Sequence, residues 1–104
     1  MTKLIKLVKI LSVNNFNFLK SPNDINIEIA KRVSVRRKEN NITQEQLSVK
    51  SDVSFGSIKR FERTGEISLS SLIKIAFALG LEHDFDYLFS KKGYSSIQEV
   101  IDER

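Results

Sequence analysis

Between residues 54 and 64 the chain gathers hydrogen-bond donors and cations: Ser54, Ser57, Lys59, Arg60, Arg63 and Thr64, with Phe55 and Gly56 among them. Such groups bind a polyanion; they do not assemble a bond-breaking site. Arg60 can pair its planar fork with the edge of a guanine, and Lys59 has the reach for a base edge, although either could serve only a phosphate. Phe55 could press on a thymine methyl, or it could pack in a core or against a protein. Ser54 and Ser57 could donate to phosphate or base. Lys38, Lys50, Arg63 and Thr64 suit phosphate contacts, which add affinity without reading sequence.

Catalytic chemistry finds little support. His83 is the single histidine, and the acids near it have no evident nucleophile or metal-ligand partner. There is no glycine-rich phosphate loop and no cysteine, so a thiolate metal site and a disulfide framework are both excluded. The expectation is a protein that is not an enzyme and needs no metal or cofactor.

The donors need elements to hold them. Thr43 followed three residues later by Gln46 is a capping box, which starts a helix. Leu47 faces inward, Ser48 allows a close crossing, and the polar Lys50, Ser51 and Asp52 end the helix. Asp52 and Asn41 both suit left-handed turns. Val53 plugs the turn into the core, Ser54 caps the next helix, and Ile58 and Phe61 give that helix its buried side. Upstream, Ser21-Pro22-Asn23-Asp24 is a turn and cap signal. From about Ile25 to Glu39 the spacing of Ile25, Ile29 and Val33 predicts a helix with those residues as its buried stripe. Downstream, Thr64-Gly65 breaks the chain, Ser68 or Ser70 caps a fourth helix with Leu72, Ile75, Ala76 and Leu79 on its core face, and Gly80 ends it. A short fifth helix is expected from Asp84 to Phe89.

These residues carry a resemblance. Arg37, the run Ile42-Thr43-Gln44-Glu45-Gln46-Leu47, Val53-Ser54, Ile58, Glu62, and Leu72-Ile73-Lys74-Ile75-Ala76 with Leu79-Gly80 resemble the Xre family, the phage Cro and repressor type of helix-turn-helix protein. The resemblance implies an all-α, five-helix DNA-binding domain over residues 24–90, with appendages at 1–23 and 91–104. It places the helix from Thr43 to Ser51 across the groove, Gln44 at a backbone phosphate beside the recognition helix, and the helix from Ser54 to Thr64 in the major groove. It also makes Arg37 and Glu62 an internal ion pair, so that Glu62 is structural.

Charge agrees in sign with a nucleic-acid partner. The net charge is +4, and residues 31–63 hold nine Lys or Arg against four Asp or Glu, whereas residues 82–104 hold three against six. A field of this kind draws polyanions and makes binding sensitive to salt. At 104 residues one domain with short appendages is expected. The opening stretch is basic and apolar, but Lys3, Lys6 and Lys9 interrupt it too often for a membrane span or a leader, so a cytoplasmic location is expected. A helix is favoured for residues 3–20, with a strand as the alternative.

One module offers a small interface, so specific repression calls for a homodimer on a palindromic double-stranded operator. Phe85, Leu88, Phe89, Ile97 and Val100 are the expected dimer interface, joined by Tyr87; the alternative is that they only close the core. The stretch from Phe61 to Phe89 with the tail from Tyr94 to Val100 further resembles the HipB-like antitoxins, which implies an autorepressor that also holds a HipA-type kinase toxin inactive. The rival is a protein-interaction module that uses the fold to neutralise a partner without specific DNA binding.

Overall fold

A computed structural model describes residues 20–93 of the chain. Four α-helices follow in order: α1 Pro22–Glu39, α2 Gln44–Ser51, α3 Phe55–Thr64 and α4 Leu69–Leu79; a 3-10 helix, Glu82–Phe85, comes after them. The described residues contain no strand. The helix or strand expected over residues 3–20 lies, apart from Lys20, outside them.

Local chemistry sets each boundary. At the start of α1, Ser21 Oγ accepts from the Asp24 N–H at 3.1 Å and the Asp24 carboxylate accepts from the Ser21 N–H at 3.0 Å, with Pro22 in the first turn. The helix therefore begins three residues before Ile25. Thr43 and Gln46 close the same reciprocal box at the start of α2, at 3.0 and 2.8 Å. Asn41 and Asp52 take left-handed conformations, with φ of 55° and 59°. The small Ser48 does more than permit a close crossing: its hydroxyl donates to the Val53 carbonyl at 2.6 Å and so closes the turn into α3.

The core is built from Ala30, Leu47, Val53, Ile58, Phe61 and Ile75, all nearly inaccessible to solvent. Helix α1 packs on α3, and α2 packs on both α3 and α4. Ile29 and Val33 lie against this core, but Ile25 is 45% exposed. The stripe of α1 is centred on Ala30 and Arg37, further round the helix than an Ile25 register predicts. A small side chain at 30 fits where two helices approach closely.

Gly65 carries a real conformational demand. Its φ is 80°, and a Cβ there would stand 2.6 Å from the carbonyl carbon of Asn26 in α1. The end of α3 is thus pressed against the backbone of α1.

The expected fifth helix is corrected. Leu81, at its N-cap position, supplies no side-chain acceptor, and the chain makes only four residues of 3-10 helix before turns carry it to Phe89, a left-handed residue with φ 59°. The described fold has four α-helices, not five. Of the expected dimer residues, Phe85 is half-buried, Leu88 is exposed, and Phe89 is 93% exposed beside an exposed Tyr87. Ile97 and Val100 lie outside the described residues.

Candidate nucleic-acid interface

Helix α3 divides cleanly into two sides. Ile58 and Phe61 are buried, while Phe55, Gly56, Ser57, Lys59, Arg60 and Arg63 face outward. A side chain built at position 56 would meet nothing within 4 Å, so the glycine leaves a gap in the outward face that packing does not require.

The outward groups already engage one another. Ser54 Oγ accepts from the Ser57 N–H at 3.1 Å and donates to Ser57 Oγ at 2.7 Å, which fixes both hydroxyls at the start of α3. Lys59 Nζ stands 5.1 Å from the centroid of the Phe55 ring, a cation–π contact that holds the lysine over the first turn. Phe55 itself is 38% exposed and stands outside the buried core. Arg60 pairs with Glu66, beyond the end of the helix. Thr64 Oγ1 donates to the Arg60 carbonyl at 2.7 Å and accepts from the Glu66 N–H, which ties that loop to the helix end.

The inward side carries a different polar group. Arg37 from α1 meets Glu62 from α3 in a two-pronged pair, with Nε to Oε2 at 2.7 Å and Nη2 to Oε1 at 2.9 Å, and both side chains are only 9% exposed. Arg37 Nη1 also donates to the Ile42 carbonyl at 2.7 Å, which reaches the loop before α2. Gln44 Nε2 donates to Glu62 Oε1 at 3.0 Å. Three elements meet at one carboxylate. Burial pushes the Glu62 carboxyl up, but hydrogen bonds from Arg37, Gln44 and Ser34 and the charge of Arg37 outweigh it, so its pKa lies below the usual carboxylate value. The same hydrogen bonding to Glu62 raises Arg37 despite its burial.

The expected residues are distributed as follows. Ser54 through Thr64 lie on α3 and its cap; Lys38 lies exposed near the end of α1 and Lys50 exposed in the last turn of α2. Gln44 stands beside α3, with its amide directed to Glu62. Glu66 was not among the residues singled out from sequence. It lies six positions after Arg60 and past a glycine, so no helical spacing joins the two.

Across residues 26–85 the chain matches the family model described as Helix-turn-helix, HTH_3. This chain belongs to that family. The match runs from the first turns of α1 through the 3-10 helix, so the family's DNA-binding regulatory module is the described part of the molecule. Comparison with curated proteins and with solved structures gives no significant match. In a helix-turn-helix protein the second helix of the motif is the one placed in the major groove, and here that helix is α3. Among the described residues no helix is long and apolar enough to cross a membrane, and no cluster of His, Cys, Asp or Glu could hold a metal ion.

Proposed function

We propose that the protein is a sequence-specific transcriptional regulator that binds a two-fold operator as a homodimer and represses its own gene. The observation that carries this reading is the division of α3. Its inner side is locked by Ile58, Phe61 and the Arg37–Glu62 pair, and its outer side presents Lys59, Arg60 and Arg63 to solvent. A rigidly held helix with cations on its free face suits the major groove. Arg60 reads a base after leaving Glu66, Lys59 and Phe55 approach the groove as a unit, and Lys38, Lys50, Arg63 and Thr64 hold phosphates. Gln44 contributes its position at the start of α2 while its side chain braces Glu62. The dimer uses Phe85, Leu88 and Phe89.

The test is a fluorescence-anisotropy titration of the full chain against its own upstream DNA and a scrambled duplex at two salt concentrations. Tight, selective binding that weakens steeply with salt supports the reading. Equal, weak binding to both duplexes overturns it.

A second reading draws on the exposed apolar groups Leu69, Phe77, Leu88 and Phe89, which favour a protein partner. In it the chain also neutralises a kinase toxin of the HipA type, as a HipB-like antitoxin. Loss of that kinase's activity on addition of the purified chain, at equal molar amounts, is the expected result. Unchanged kinase activity rejects it.

A further inference from the structure

On the side of α4 that meets α2, an open groove of about 430 Å³ is lined by Lys50, Ser70, Ile73, Lys74, Phe77 and Ala78. Ile73, Phe77 and Ala78 are its apolar lining, with Phe77 64% exposed, and the buried Ser51 also borders it. Two lysines stand among its lining residues, and among the described residues neither forms an ion pair. A groove with this pattern selects an occupant that is apolar along one side and acidic along the other.

We propose that the groove is the docking site of the chain's own C-terminal segment, residues 94–104, bound within the same molecule. That segment reads YSSIQEVIDER. Ile97, Val100 and Ile101 recur at spacings of three and four, which puts them on one face of a helical turn. Glu99, Asp102 and Glu103 interleave with them against the single cation Arg104. The apolar residues match Ile73, Phe77 and Ala78, and the acids match Lys50 and Lys74.

Charge also separates this segment from its competitor at the other end. Residues 1–19 are richer in apolar groups, but they carry Lys3, Lys6 and Lys9 and no acid. Two lysines in the groove repel that stretch and attract the C-terminal one.

The segment is long enough for the groove. The 3-10 helix that follows α4 packs against it. The seven residues from Gly93 to Val100 span up to about 23 Å when extended. The groove-lining part of α4, Ser70 to Ala78, is about 12 Å long.

The chain has no cysteine, so a single introduced one can be labelled uniquely. The experiment places a nitroxide on Ser96→Cys in the full chain and records amide signals by NMR. The expected result is selective broadening of Ile73, Lys74, Phe77 and Ala78, lost when Lys50→Glu and Lys74→Glu are introduced together. A mixture of spin-labelled, isotopically unlabelled protein with isotope-labelled wild type distinguishes a second copy's tail. Broadening in that mixture equal to the broadening within one molecule overturns the proposal, as does broadening confined to residues outside the groove or none at all. Both lysines are exposed, and retention of the wild-type amide spectrum elsewhere verifies that the charge-reversed variant is folded. The outcome does not depend on DNA binding.

Discussion

The inner and outer sides of α3 each carry an arginine–glutamate pair, and the two pairs do opposite things. Arg37 and Glu62 are almost wholly covered, joined by two hydrogen bonds and braced by Gln44 and the Ile42 carbonyl. Arg60 and Glu66 are more than half exposed and joined by one. A covered pair is costly to break because the surviving charge has no water to turn to, whereas an exposed pair exchanges its partner for solvent at little cost. The same chemistry therefore fixes the helix on one side and leaves a movable arginine on the other.

The strongest way to break this contrast is Glu62→Ala, which strands Arg37 and removes the acceptor for Gln44. Unfolding by urea should show a loss of about 3 kcal/mol or more, with the midpoint falling and the slope unchanged. Acid sharpens the same point. Because the folded Glu62 carboxyl titrates below its unfolded value of about 4.3, its contribution is complete above that value and drains away as pH falls through the folded one. The stability gap between wild type and Glu62→Ala should accordingly be constant near neutrality and narrow on acidification below about pH 4.

On the outer side the effects move from folding to binding. Arg60→Ala should leave folding stability within about 0.5 kcal/mol of wild type, as expected for an exposed position. In anisotropy titrations it should forfeit about 1–3 kcal/mol of discrimination between operator and scrambled duplex. An equal loss on both duplexes would make Arg60 a phosphate contact instead. The smallest effect is expected from Glu66→Gln: thermal unfolding almost unchanged, since exposed pairs contribute about 0–1 kcal/mol, and slightly tighter non-specific binding at low salt as a repelled carboxylate is removed. A large stability loss from this change would erase the distinction between the two sides.

What the sequence made legible follows the range of the interactions. The Thr43–Gln46 box, the left-handed Asn41 and Asp52, the Ser54 cap and the Ile58–Phe61 core face are decided within one or two turns of chain, and residue types alone announce them. The Arg37–Glu62 pair spans 25 residues and became visible only through resemblance to a family. Ile25 was misplaced because a four-residue spacing fits two neighbouring stripes of a helix equally well, and the choice falls to how closely Ala30 lets α3 approach. The fifth helix failed for want of a cap at Leu81. The contacts of Lys59 with Phe55 and of Arg60 with Glu66 depend on side-chain geometry around α3 and the Gly65 turn, which spacing does not encode.

The close approach of Gly65 to the Asn26 backbone limits how this protein can change over generations. One residue inserted in α3 rotates everything beyond it by about 100°, taking Phe61 out of the core and Glu62 away from Arg37, and displaces the one position that tolerates the backbone of α1. Substitution carries no such penalty at positions 55, 56, 59, 60 and 63, which lie on the side away from the core. The outward face can thus change by exchange of side chains, while the length of this helix is held fixed by what its inner side must meet.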